Sequence, residues 1–181
     1  MRVFEVKSLD DENVSVETMY DSEFRLDGAR FFLNCAGRIV VKQNEYKWYI
    51  QAAASFVIAA SEISYHQYGV DNKIFEEDSE ESRFGLKSLK EKFPECEFFQ
   101  WLFRKLEMDL LHDRKSPNGR RYDFLRNERN DILHRGENDK KIVESEMFFD
   151  GWDSEPCAIV CEKTIEFIQS IIDEAKKSGY I

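Results

Sequence analysis

The sequence predicts an all-α protein: one helical bundle of four to five main helices with minor β arms. Three observations carry that reading. Only three Pro and eight Gly occur in 181 residues, so little interrupts long elements. Apolar residues recur at helical spacing, most cleanly at Ala158, Cys161, Ile165, Ile168, Ile172 and Ala175, which places them on one face. Turn signals such as Phe93-Pro94 and Ser116-Pro117-Asn118-Gly119 fall between the periodic stretches rather than within them. With 42% apolar residues, fifteen of all residues being Phe, the chain can bury one ordinary core, so a single domain is expected.

Residues 1–25 read as an extended arm or hairpin. Val3, Phe4 and Val6, then Val14, Val16 and Met19, alternate around Asp10-Asp11-Glu12-Asn13, the period of a strand. The bundle is expected over 26–181. Its first helix runs from Asp27 to about Val41, with Phe32, Cys35, Ala36, Ile39 and Val40 on one side. The second, Tyr46 to Tyr68, is apolar nearly all round and is placed centrally. Its main stripe reads Trp48, Ala52, Phe56, Ala59 and Ile63.

An acidic loop follows at 70–82. Five of the seven residues Glu76–Ser82 are acidic, and neighbouring like charges favour a solvated, mobile segment. A short helix, Arg83 to Lys92, stops at Phe93-Pro94. An aromatic helix from Glu95 to His112 carries Phe98, Phe99, Trp101, Leu102, Phe103, Leu106, Leu110 and Leu111. The Ser116–Gly119 turn separates it from a further helix, which Gly136 closes as a C-cap glycine. Alternation returns between Lys140 and Trp152 as a second β arm, suited to pairing with the first. Asp153-Ser154-Glu155-Pro156 then starts the last helix with a cap residue and an early proline.

The net charge of −10 argues against indiscriminate nucleic-acid binding. It is unevenly spread. Arg104–Gly136 holds nine Lys/Arg against six Asp/Glu, so basic charge is concentrated there. Cys35, Cys96, Cys157 and Cys161 form no C-x-x-C pair and read as free thiols in a reducing compartment. His66 and His112 are distant from one another and each ends an expected helix, where the dipole favours a cation. No metal or other cofactor is expected. The segment MRVFEVKSLDDENV lacks a leader pattern, and the longest apolar run, Ala52–Ala60, is too short to cross a bilayer. A cytoplasmic protein with no membrane partner is expected.

The basic segment contains Arg129-Asn130-Asp131-Ile132-Leu133-His134. On a helix, Arg126, Asn130 and His134 are successively four apart and share a face, with Arg129 flanking it. Those residue types suit RNA cleavage. An imidazole titrating near neutrality can give or take a proton. A guanidinium offers a fixed, planar donor fork to phosphate oxygens. Asn130 can orient either. Arg120 and Arg121 flank the turn, and with Arg126 and Arg135 they form candidate RNA-binding cations.

An arginine, a polar residue and then a histidine after three more positions, late in an all-helical domain, resembles the HEPN superfamily. Many of its members are metal-independent ribonucleases of toxin–antitoxin and other defence systems. The resemblance in architecture spans about 26–178, and Arg129, Asn130 and His134 stand at the three motif positions. It implies an HEPN-like bundle acting as an endoribonuclease, with those three residues catalytic and a composite site across a homodimer. RNA and an antitoxin protein are the partners it implies. One subgroup carries a tyrosine two positions after the histidine, which a partner nucleotidyltransferase modifies; Gly136 stands there in this chain.

Two other readings rest on the residues alone. One is a non-catalytic helical binding module whose Arg/His groove holds RNA, a nucleotide or a protein partner. The other is a plain structural bundle with an acidic docking loop. There His134 caps its helix end and Arg129 pairs with Asp131, Glu128 or another acid.

Overall fold

The computed structural model describes residues 21–38, 43–135, 142–143, 148–149, 152 and 155–181, with backbone alone for 21, 43–44, 128, 130–135 and both strands. They form six α-helices and one two-stranded pairing, an all-α fold. Helix α1 (Asp21–Gly37) and α2 (Gln43–Asp71) make an antiparallel hairpin. Helices α3 (Leu86–Lys92) and α4 (Glu97–Lys105) are short, whereas α5 (Pro117–Arg135) and α6 (Cys157–Lys177) are long. Helices α2 and α6 pack on each other, and each touches both α1 and α5.

Helix α1 begins at Asp21. The extended arm expected over 1–25 is therefore wrong for 21–25, and the bundle starts before 26. Residues 1–20 lie outside the described residues, as do Ile39 and Val40. The inward positions of α1 are Leu26, Ala29 and Ala36, with Phe32, Leu33 and Cys35 half-buried.

Helix α2 is central, but rotated from the expected stripe. Its buried side chains are Tyr46, Ile50, Ala53, Ala54, Val57, Ile58, Ala60, Ser61, Ser64 and Tyr65, whereas Trp48 is 66% exposed. A helix that is apolar nearly all round offers no periodic contrast, so its neighbours decide which face goes in. The buried serines are satisfied locally: Ser61 Oγ donates to Ile58 O at 2.8 Å and Ser64 Oγ to Ser61 O at 2.7 Å.

The acidic loop is exposed at Glu76, Glu77 and Asp78, as expected. It is also anchored, which the charge run conceals. Lys73 turns left-handed with φ 56°, and Ile74 N–H returns to Gly69 O at 2.8 Å, ending α2. Phe75 then folds back over Gly69, where a side chain would collide with its ring, and is buried against Phe93. Glu81 pairs with Lys92.

Helix α4 stops well short of His112. Glu107 is left-handed with φ 54°, and Met108 N–H bonds Phe103 O at 3.0 Å, a Schellman-type end made without glycine. Phe98, Phe99, Leu102, Phe103 and Leu106 are buried, but Leu110 and Leu111 fall beyond the helix and are exposed. The Phe98 ring lies 4.2 Å from Tyr68 and 5.2 Å from Tyr180, an aromatic cluster closing one end of the bundle. Burial of each such ring contributes roughly 1.5–3 kcal/mol.

The expected Ser116–Gly119 turn is a helix start. Pro117 is the first residue of α5, and Ser116 Oγ accepts Gly119 N–H at 3.1 Å, the capping geometry that suits Ser before Pro. Gly136 lies outside the described residues. The second β arm is present as β1 (Ile142–Val143) and β2 (Phe148–Phe149), antiparallel, with Ile142 opposite Phe149. Its described pairing is thus internal; pairing with the N-terminal arm falls outside the described residues.

The α6 stripe is read correctly: Cys161, Ile165, Ile168, Ile172 and Ala175 are buried, joined by Val160, Thr164 and Ile171. Ala158 is half-buried. Cys157 and Cys161 are buried free thiols, and burial pushes Cys157 up to about 12 and Cys161 further still.

Candidate functional site

Helix α5 is positioned from its N-terminus. The Glu107 carboxylate accepts Ser116 N–H at 2.6 Å, linking the end of α4 to the cap of α5. Two residues past Gly119, Arg121 turns away from solvent. Its Nε donates to Glu155 Oε2 at 2.6 Å, Nη2 to Glu155 Oε1 at 2.7 Å, and Nη1 to Asn118 Oδ1 at 2.8 Å. Lys163 Nζ reaches the same carboxylate at 2.6 Å. The Arg121 fork, with Lys163 beside it, holds the Glu155 carboxyl down at about 2.

The next turn packs on α2. Tyr122 is buried and its hydroxyl lies 2.9 Å from Ser61 Oγ. Since Ser61 gives its own proton to Ile58 O, Tyr122 is the donor. Burial raises the Tyr122 and Tyr65 phenols well above their ordinary range, so both stay protonated. Tyr122→Phe should leave no orphan donor and cost about 1 kcal/mol. Urea unfolding should show a lower midpoint with an unchanged m value; an unmoved midpoint would mean that this hydrogen bond contributes nothing.

Two turns on, Arg129 reaches the same seam. Its Nη2 pairs with Glu62 of α2, and its Nε is buried with no hydrogen-bond partner among the described residues. Burial of Tyr65 is increased in effect by Glu62 and offset in part by Arg129, the two charges beside it. The seam between α2 and α5 is therefore a polar strip of Ser61, Glu62, Tyr65, Tyr122 and Arg129.

The predicted residues divide as follows. Arg129 is partly buried and ion-paired. Asn130 and His134 ride on the last two turns of α5 with Arg135, and their side chains lie outside the described residues. Arg126 is half-buried, with Nη2 at 3.3 Å from Asp123 Oδ1. Arg120 is half-buried with no ion pair among the described residues. Arg121 is a correction: it is buried, each nitrogen of its fork already donates a hydrogen bond within the protein, and it ties α5 to the start of α6. His66 is another, since α2 runs past it to Asp71. Its Nδ1 is buried without a partner among the described residues, and burial lowers its pKa.

Sequence reasoning missed Glu62 and Glu155. Glu62 had a signal, being the only acid between Tyr46 and Val70, in the middle of the most apolar helix. Glu155 lies in the segment that starts the last helix, and nothing local shows its pairing with a residue 34 positions earlier. Among the described residues, no three His, Cys, Asp or Glu side chains gather as a metal site would require. Compared with protein-family models, curated proteins and solved structures, the chain finds no match.

Proposed function

We propose that this chain is a metal-independent endoribonuclease of the HEPN type, a cytoplasmic toxin or defence effector. The working residues are Arg129, Asn130 and His134 on α5. One observation carries the reading. Arg129 sits at a helix seam with a buried Nε that lacks a partner among the described residues. An orphaned buried donor costs roughly 1–3 kcal/mol, and such departures from polar satisfaction concentrate at functional sites. A phosphate oxygen is the acceptor that a planar guanidinium fork suits best.

The reaction follows from those groups. A base takes the 2′-hydroxyl proton, the oxyanion attacks the adjacent phosphorus, and an acid protonates the leaving 5′-oxygen. His134 serves one proton role. A second copy across a twofold axis supplies the other histidine and a second arginine, so the active form is a homodimer. An antitoxin protein is the partner such an activity calls for. No helix among the described residues is long and apolar enough to cross a membrane.

The test is cleavage of single-stranded RNA in excess EDTA. Products ending in 2′,3′-cyclic phosphate are expected, and DNA of the same sequence should stay intact. Activity lost to chelator and restored by Mg²⁺ or Mn²⁺, or cleavage of the DNA, would reject the mechanism.

One observation favours a second reading, a non-catalytic helical bundle in which Arg129 is structural. Arg129 already has a counter-charge in Glu62, as a structural arginine would. Equal RNA binding by wild type and Arg129→Ala, with cleavage by neither, would select a module that binds through other residues.

A further inference from the structure

A second cluster lies N-terminal to the motif on α5 and in the turn before it. Asp123 is its centre. Its Oδ1 faces Lys115 Nζ at 3.0 Å and Arg126 Nη2 at 3.3 Å, and its Oδ2 lies 3.7 Å from His112 Nδ1. Lys115 is buried and consumed by Asp123, so that pair is neutral. The remaining groups are in surplus. The Arg126 Nη1 faces only the thioether of Met108, at 3.9 Å, a weak acceptor. The His112 side chain is 62% exposed, and with the carboxylate on its Nδ1 side, Nε2 is the nitrogen left for a ligand. Two donor groups thus converge beside one neutralised carboxylate, in the basic segment of an acidic chain.

From this arrangement we infer that His112 and Arg126 form a phosphate-binding site for the backbone of single-stranded RNA, with Asp123 and Lys115 as positioning residues. The choice of RNA rests on the ribonuclease reading; the surplus of donors does not. Arg126 precedes His134 by eight residues on one helix, about 12 Å at 1.5 Å per residue. The site therefore holds a phosphate a few nucleotides from the bond to be cut and sets the register of the strand along α5.

The experiment measures binding of a fluorescent 2′-O-methyl RNA, which cannot be cleaved, to the full chain over a range of salt. Arg126→Ala should weaken binding about tenfold at low salt and flatten the log affinity against log salt slope by about 0.7, one contact on a single strand. Arg126→Lys should keep the slope. Lys87→Ala, the loss of an exposed cation on α3, should match wild type. The chain has three histidines, so an imidazole proton spectrum has three signals, and His112→Gln identifies one by its absence. That signal should move on adding RNA, and inorganic phosphate should move it in the same direction. An unchanged slope in Arg126→Ala, or a His112 signal that stays put in both saturating RNA and inorganic phosphate, overturns the site. A shift with inorganic phosphate but none with RNA overturns the RNA assignment. Cleavage is no readout here, so a chain that cuts nothing yet shows the slope change leaves this site standing while the nuclease reading fails.

Discussion

His134→Ala should lose RNA cleavage by about 10² or more, the usual worth of general acid–base catalysis, while RNA affinity changes little. An imidazole that acts on the reacting protons does its work in the chemical step, so its removal falls there. Arg129→Ala should lose cleavage and some affinity together, because a cation on the phosphate stabilises ground and transition states alike. Glu62 now supplies a sharper control. If Arg129 exists only to satisfy Glu62, a double-mutant cycle of Arg129→Ala with Glu62→Gln should show coupling in stability and none in RNA affinity or cleavage. Full activity in His134→Ala would sink the mechanism outright.

Glu155→Ala should destabilise the fold by about 3 kcal/mol, far more than an exposed ion pair is worth. The reason is what remains: a buried Arg121 guanidinium that has lost two of its three hydrogen bonds. Glu155→Gln, which restores an acceptor without the charge, should recover part of the loss. The pH dependence has a definite sign. Arg121 holds the folded carboxyl at about 2, below an ordinary value near 4.3. The stabilisation is therefore fully present above that ordinary value and disappears as pH falls toward about 2. Denaturant unfolding should show the gap between wild type and Glu155→Ala steady from pH 7 to 5 and narrowing below. A gap that stays constant down to pH 3 would mean that Glu155 acts by packing rather than by charge.

Helix existence was legible because it depends on local spacing. The α6 stripe from Cys161 to Ala175 shows it best: a strong 3.6-residue contrast leaves one face to bury. The stop of α3 at Phe93-Pro94 was equally local. Where contrast vanished, inference failed. Helix α2 is apolar around its circumference, so only α1, α5 and α6 closing on it turned Trp48 out and Ser61 and Tyr65 in. The end of α4 was hidden for a different reason. A left-handed Glu107 carries no glycine signal, and its carboxylate is engaged by Ser116 N–H nine residues on.

The same division holds for the candidate site. By itself the sequence placed Arg126, Arg129, Asn130 and His134 on one helix within a basic segment, because spacing along a helix is set by the backbone alone. It could not say which cations were free to meet a phosphate. Arg121 and Arg126 look alike in sequence, yet one is spent on Glu155 and the other keeps a nitrogen against a thioether. A guanidinium's availability depends on which acceptors long-range packing brings within about 3 Å, and hydrogen bonding at that distance leaves no periodic trace along the chain.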